Sequence, residues 1–128
     1  MQYGGGRDGD ANGGRQGLSY WIDKGYIPSD VGIKGSVSMT LDYAHADWAI
    51  SKAAAALGHT EDAAVLLNRS QGWRNVFDAE SGFMKPKQQS GTFEKEFDQW
   101  AWGGAYVEGG PWQYRFGVPW DPAGLADA

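Results

Sequence analysis

Ser36-Val37-Ser38-Met39-Thr40-Leu41-Asp42-Tyr43-Ala44-His45-Ala46-Asp47-Trp48-Ala49-Ile50-Ser51-Lys52-Ala53-Ala54-Ala55-Ala56-Leu57-Gly58 is the longest stretch of the chain without proline or internal glycine. Its alanine content favours helix, Ser36 is a residue type that caps helix N-termini, and Gly58 is the type that ends them, so a helix is predicted over residues 37–57. At about 100° per residue, Val37, Leu41, Ala44, Trp48 and Ala55 form one apolar stripe, and Met39, Tyr43, Ala46, Ile50 and Leu57 form a second on the opposite side. A helix with two apolar faces needs cover on both.

Thr60 is placed to cap the next helix, with Glu61 and Asp62 in the first turn where the helix dipole favours acids. Ala63, Leu66, Leu67, Ser70, Trp73 and Phe77 then share a single stripe, so this helix is expected to bury one face. A two-faced helix followed by a one-faced helix is the pattern of a layered helical array, inner helices covered by outer ones. The expected class is therefore mainly α.

Outward from this pair the chain is less regular. Upstream, Leu18, Trp21 and Ile22 have helical spacing over residues 18–24, stopped by Gly25 and Pro28. Before them the Gly-rich repeats Gly5-Gly6-Arg7-Asp8-Gly9 and Gly13-Gly14-Arg15-Gln16-Gly17 make residues 1–17 a loop. No apolar strand precedes it and no Lys-Ser/Thr closes it, as a phosphate-cradling loop would require. Downstream of Asp78, Gly82, Pro86 and Gly91 with alternating Phe83, Phe93 and Phe97 predict loops or short hairpins. This excursion runs to Gly104, and excursions of such length are usually functional, which makes it a candidate cleft wall. Pro111 is suited to the first position of a helix, and a last helix is expected near Asp121-Pro122.

Composition narrows the function classes. The net charge is -5 with scattered basic residues, so the footprint of a nucleic-acid binder is missing. No run approaches the roughly 18–20 apolar residues of a membrane span. With no Cys, thiolate chemistry and disulfides are excluded, and two His, His45 and His59, cannot build a multi-histidine metal site; both read as surface or structural residues. Seven Trp, six Tyr and five Phe beside twenty Gly suit a sugar-binding cleft as well as a packed core.

Acidic residues are the catalysts left, and glycoside hydrolysis uses two of them. Glu108 stands out by position, between Tyr106-Val107 and Gly109-Gly110-Pro111-Trp112. Apolar neighbours there would favour the protonated form a general acid needs, whereas a helix opening at Pro111 would favour the ionised form. Both readings, general acid and plain carboxylate at a helix start, are open on this ground alone. Trp112 and Tyr114 offer rings to a sugar face and Gln113 an amide, or all three serve as scaffold.

Ser36 to Trp48, Ala56-Leu57-Gly58, Asn68-Arg69-Ser70-Gln71-Gly72-Trp73-Arg74-Asn75-Val76-Phe77-Asp78, Gly82-Phe83-Met84-Lys85-Pro86 and Glu108-Gly109-Gly110-Pro111-Trp112-Gln113-Tyr114 resemble, in order and spacing, a contiguous piece of glycoside hydrolase family ninety-two. The resemblance covers most of the chain. It implies calcium-dependent, inverting, exo-acting α-mannosidases, often α-1,2-specific, that trim mannose-containing glycans such as N-glycans and mannans. The implied fold is an N-terminal β-sandwich followed by an (α/α)6 barrel, of which residues 18–128 resemble a part that is incomplete at both ends. By the same resemblance Glu108 takes the place of the general acid in a Glu-Gly-Asn-Ala-Trp-Gln-Tyr motif, with Trp112, Gln113 and Tyr114 near the mannose. Gly110-Pro111 departs from the Asn-Ala of that motif. The general base and calcium ligands are expected after Ala128 and the sandwich before Met1, so no residue here is assigned to metal and the chain alone is expected to be inactive. The parent is expected to be secreted or periplasmic. The alternative reading is a noncatalytic carbohydrate-binding piece or an inactive truncated remnant.

Overall fold

The first helix, α1, spans Leu18–Lys24 and ends at Gly25, whose left-handed backbone returns its N–H to the Trp21 carbonyl at 3.1 Å. The structure, a computed structural model, describes residues 14–128; most of the Gly-rich loop predicted over residues 1–17 lies outside the described residues. Of the three apolar positions expected in α1, Trp21 is wholly buried and Leu18 packs at the core edge, but Ile22 is exposed. With only seven residues, α1 presents a single side chain fully inward.

Helix α2 spans Ser36–Ala56, within a residue or so of expectation. Its start differs in mechanism. Gly35, not Ser36, is the cap residue, and the orphan donors of the first turn go to backbone carbonyls of a distant loop: Gly35 N to Gly104 O at 3.0 Å, and Val37 N to Ala105 O at 3.0 Å. A tertiary contact does the work of a capping side chain.

Only one face of α2 is covered along its length, through Val37, Thr40, Leu41, Ala44, Asp47, Ser51 and Ala54. From the first predicted stripe, Trp48 is half-buried and Ala55 exposed; from the second, Met39 and Tyr43 pack against the core, whereas Ile50 and Leu57 face solvent. Ala46 is half-buried, and beyond it the second face is exposed among the described residues, which departs from the two-sided burial expected.

Gly58 turns the chain into α3, Thr60–Arg69, which continues as a tighter 3-10 segment, Ser70–Asn75. Thr60 is the first helical residue and makes no side-chain cap, contrary to expectation. Leu66, Ser70 and Trp73 are buried as predicted, but Leu67 is 44% exposed: a stripe this narrow holds one leucine of an adjacent pair. The tight segment reaches the core because position 72 is glycine, since a Cβ there would sit 2.5 Å from the Gly25 carbonyl and 2.6 Å from the Trp21 ring. Trp21, Ile27, Val37, Leu41, Trp73, Met84, Tyr106 and Val118 form the centre of the core.

Strands β1 (Phe77–Asp78) and β2 (Phe83–Met84) pair antiparallel, Phe77 opposite Met84 and Asp78 opposite Phe83, a short hairpin where one was expected. The short helices α4 (Pro111–Tyr114) and α5 (Pro122–Ala126) start at the predicted prolines, and Asp121 caps α5 by accepting from Gly124 N at 3.1 Å. The fold is mainly helical and consistent with an (α/α) toroid; no closed ring is formed among the described residues.

Candidate active site

Glu108 is the one non-glycine residue with a positive φ, 49°, among the described residues. The left-handed region costs an ordinary residue about 1–2 kcal/mol and persists only where its surroundings impose it. The clamps are visible on both sides. Val107 N donates to Ser38 Oγ at 2.8 Å, the Val107 carbonyl accepts from Tyr114 Oη at 2.6 Å, and the Gly109 carbonyl accepts from Gly103 N at 2.8 Å. The acid loop, residues 103–110, is thereby fastened to the start of α2, to α4 and to itself.

Beneath it lies Tyr106, buried, its Oη donating to the Met84 carbonyl at 2.6 Å, with its phenol pushed well above the usual tyrosine range by burial. That bond ties the acid loop to the hairpin. At the far end, Gln113 Oε1 accepts from Gly110 N at 2.9 Å, closing the first turn of α4.

The Glu108 carboxylate itself is exposed, so these residues alone do not supply the apolar enclosure expected around it. The cap position of α4 is Gly110, two residues after Glu108. The three residues expected near a sugar separate into two kinds. Tyr114 is half-buried against Tyr106, ring centroids 5.7 Å apart, with its hydroxyl spent on the acid loop, and Gln113 has one amide end spent on Gly110. Both brace the loop. Trp112 keeps ring surface open, 39% exposed, its ring nearly perpendicular to Phe83 with centroids 5.0 Å apart and tilted by 32° to Trp100 with centroids 5.8 Å apart.

His45 stacks on Trp120 with ring centroids 5.0 Å apart, and His59 precedes α3 on the surface. Two features went unread in the sequence. Ser38, given no role from the sequence, holds the peptide before Glu108. Trp100 and Trp102 lie in the predicted cleft wall, exposed at 75% and 70%, and the spacing Trp100-Ala101-Trp102-Gly103 was the available signal. Among the described residues no group of three or more His, Cys, Asp or Glu comes together to hold a metal, and no helix is long and apolar enough to cross a membrane.

Residues 4–128 match the family model described as the Glycosyl hydrolase family 92 catalytic domain. No curated protein sequence matches the chain. Among solved structures it is similar to the inverting mannosidase BT2199 from Bacteroides thetaiotaomicron VPI-5482, at 32% identity and a TM-score of 0.88 over 95% of this chain and 17% of that one. It is also similar to the α-mannosidase BT3965 from Bacteroides thetaiotaomicron, at 35% identity and a TM-score of 0.75 over 80% of this chain and 14% of that one. The same enzyme in complex with mannoimidazole gives 32% identity and a TM-score of 0.76 over 80% and 14%. The chain thus spans a small part of the length of the structures it matches.

Proposed function

The chain belongs to glycosyl hydrolase family 92, and from that premise we propose that it carries the acid half of an inverting, exo-acting α-mannosidase whose general acid is Glu108. The observation that carries the reading is the clamped, left-handed backbone of Glu108, on the loop that runs into α4 and its exposed Trp112. Protonated Glu108 gives its proton to the glycosidic oxygen as the bond from that oxygen to the anomeric carbon breaks. Water attacks the carbon from the opposite face and loses its proton to a second carboxylate, roughly 6.5–9.5 Å from the first in inverting enzymes. The family resemblance assigns that base, and any enclosure of Glu108 from solvent, to parts of the enzyme other than these 128 residues. The proposed substrates are mannose-containing glycans, in a secreted or periplasmic setting.

Calcium is the cofactor that the resemblance implies. The described residues assemble no ligand set for it, and no step above passes through it.

The test is Glu108→Gln in the full-length protein. Losing a general acid lowers kcat by about 10²–10⁴-fold, and the loss is expected on an α-mannobioside, whose leaving oxygen needs the proton, more than on α-mannosyl fluoride, whose leaving group does not. Wild-type turnover of the disaccharide by this variant would overturn the assignment.

A further inference from the structure

Outside the acid loop and its braces, the largest unexplained feature is an exposed aromatic shelf. Trp100 is 75% exposed, and its backbone is held in a hydrogen-bonded turn. Its N–H donates to Asp98 Oδ1 at 2.9 Å, and Ala101 N donates to the Asp98 carbonyl at 3.1 Å, so residues 98–101 form a turn that presents the indole outward. The turn is pressed against the acid loop, because the Ala101 carbonyl occupies the place a Cβ would take on Gly110. Behind the shelf, Trp112 meets Phe83, Phe83 meets Phe97 at 5.5 Å, and the Arg115 guanidinium lies over both Phe83 and Trp112 at 4.8 and 5.1 Å.

We propose that Trp100, together with Trp112, is the stacking platform for the sugar on the leaving-group side of the bond cleaved, and so sets preference for the aglycone. This rests on Glu108 as the acid. A general acid protonates the leaving oxygen, so the loop that carries it borders the leaving group, and the turn that carries Trp100 packs on this loop where the Ala101 carbonyl meets Gly110. Exposure rises from Trp112 to Trp100, as it does from the floor to the mouth of a site entered from solvent. The two rings are tilted by 32° rather than stacked flush, which leaves a face of Trp100 free. Pyranose C–H faces pack on such rings, and the exposed polar groups of Asp98, Gln99 and Gln113 lie along the same segments to meet hydroxyls.

The experiment compares kcat/KM for an α-mannobioside with that for α-mannosyl fluoride, which has no leaving sugar, in full-length wild type, Trp100→Ala and Trp100→Phe. The disaccharide-to-fluoride ratio is expected to fall about five- to tenfold in Trp100→Ala, the size of one lost ring-stacking contact, and to return most of the way in Trp100→Phe. A ratio equal to wild type in Trp100→Ala overturns the platform while leaving Glu108 untouched. Equal loss on both substrates with a lowered Tm also overturns it, and assigns the ring to packing against another part of the protein. A wild type inert on both substrates overturns the acid assignment and the platform with it.

Discussion

Tyr114 donates its phenolic hydrogen to the Val107 carbonyl at 2.6 Å, the peptide group that leads directly into Glu108. The bond fixes where the backbone of Glu108 starts its left-handed turn, and under the proposed reading it makes Tyr114 a positioning residue. Tyr114→Phe keeps the ring against Tyr106 and removes only the clamp. Stability should fall by about 1 kcal/mol, and kcat by roughly tenfold with little change in KM, since small misplacements of an acid act on the transition state. Steady-state kinetics on an α-mannobioside check the split; a raised KM at constant kcat would return Tyr114 to the sugar.

Gly110 is extended, φ -143°, so its need for glycine is steric and comes from Ala101. Gly110→Ala should destabilise the protein by about 1–3 kcal/mol, as overpacking does. It should also push the Trp100 turn outward and lower the disaccharide-to-fluoride ratio in the same direction as Trp100→Ala. Urea unfolding and the two-substrate comparison measure both effects. An alanine tolerated with unchanged ratio would mean that the turn yields without consequence.

What could be read in advance was the local part of the problem. The helix of residues 37–57, the stops at Gly25 and Gly58 and the starts at Pro111 and Pro122 follow from propensity and backbone chemistry, and they hold within a residue or so. What stayed illegible depends on residues far apart in the chain. Gly104 and Ala105 cap α2 in place of Ser36, and Ser38 reaches residue 107; neither pairing leaves a mark on local periodicity. The second apolar face of α2 was real as a pattern, but a pattern does not say what covers it. For Glu108 the neighbours in sequence were apolar, while exposure is decided by elements in space.

Asp78 sits at the hairpin, accepting from Ser81 Oγ at 2.6 Å and Lys85 Nζ at 3.1 Å. Burial alone would raise its carboxyl, but the hydrogen bonds from Ser81 and Lys85, the Lys85 charge and a backbone contact at Glu80 together outweigh burial and hold it below the ordinary aspartate range. A carboxyl depressed in the folded state stabilises the fold above its unfolded value, near pH 4, and that contribution is lost as pH falls through the folded value. Asp78→Asn should therefore be less stable than wild type by about 1 kcal/mol at pH 7, with the two converging as pH falls through the folded value. Denaturant melts at pH 7, 4 and 2.5 decide it, and a gap that stays constant across that range would contradict the assignment.

Asp47 is wholly buried on α2, its Oδ2 accepting from the Trp21 indole at 3.0 Å and its Oδ1 lying 2.7 Å from Arg15 Nη1, with Arg69 Nε at 3.8 Å. One carboxylate thus joins the segment before α1, α1 itself, α2 and α3. Replacing all three charges of such a group by apolar residues is often harmless, whereas removing one partner strands the others in low dielectric. Asp47→Ala should accordingly cost about 3–5 kcal/mol, far more than Asp78→Asn, and should loosen α1 through Trp21. Hydrogen exchange is expected to speed up at residues 18–24 as well as along α2 and α3. Exchange that rises in α2 alone would show that Trp21 is held by packing, with Asp47 a passenger beneath it.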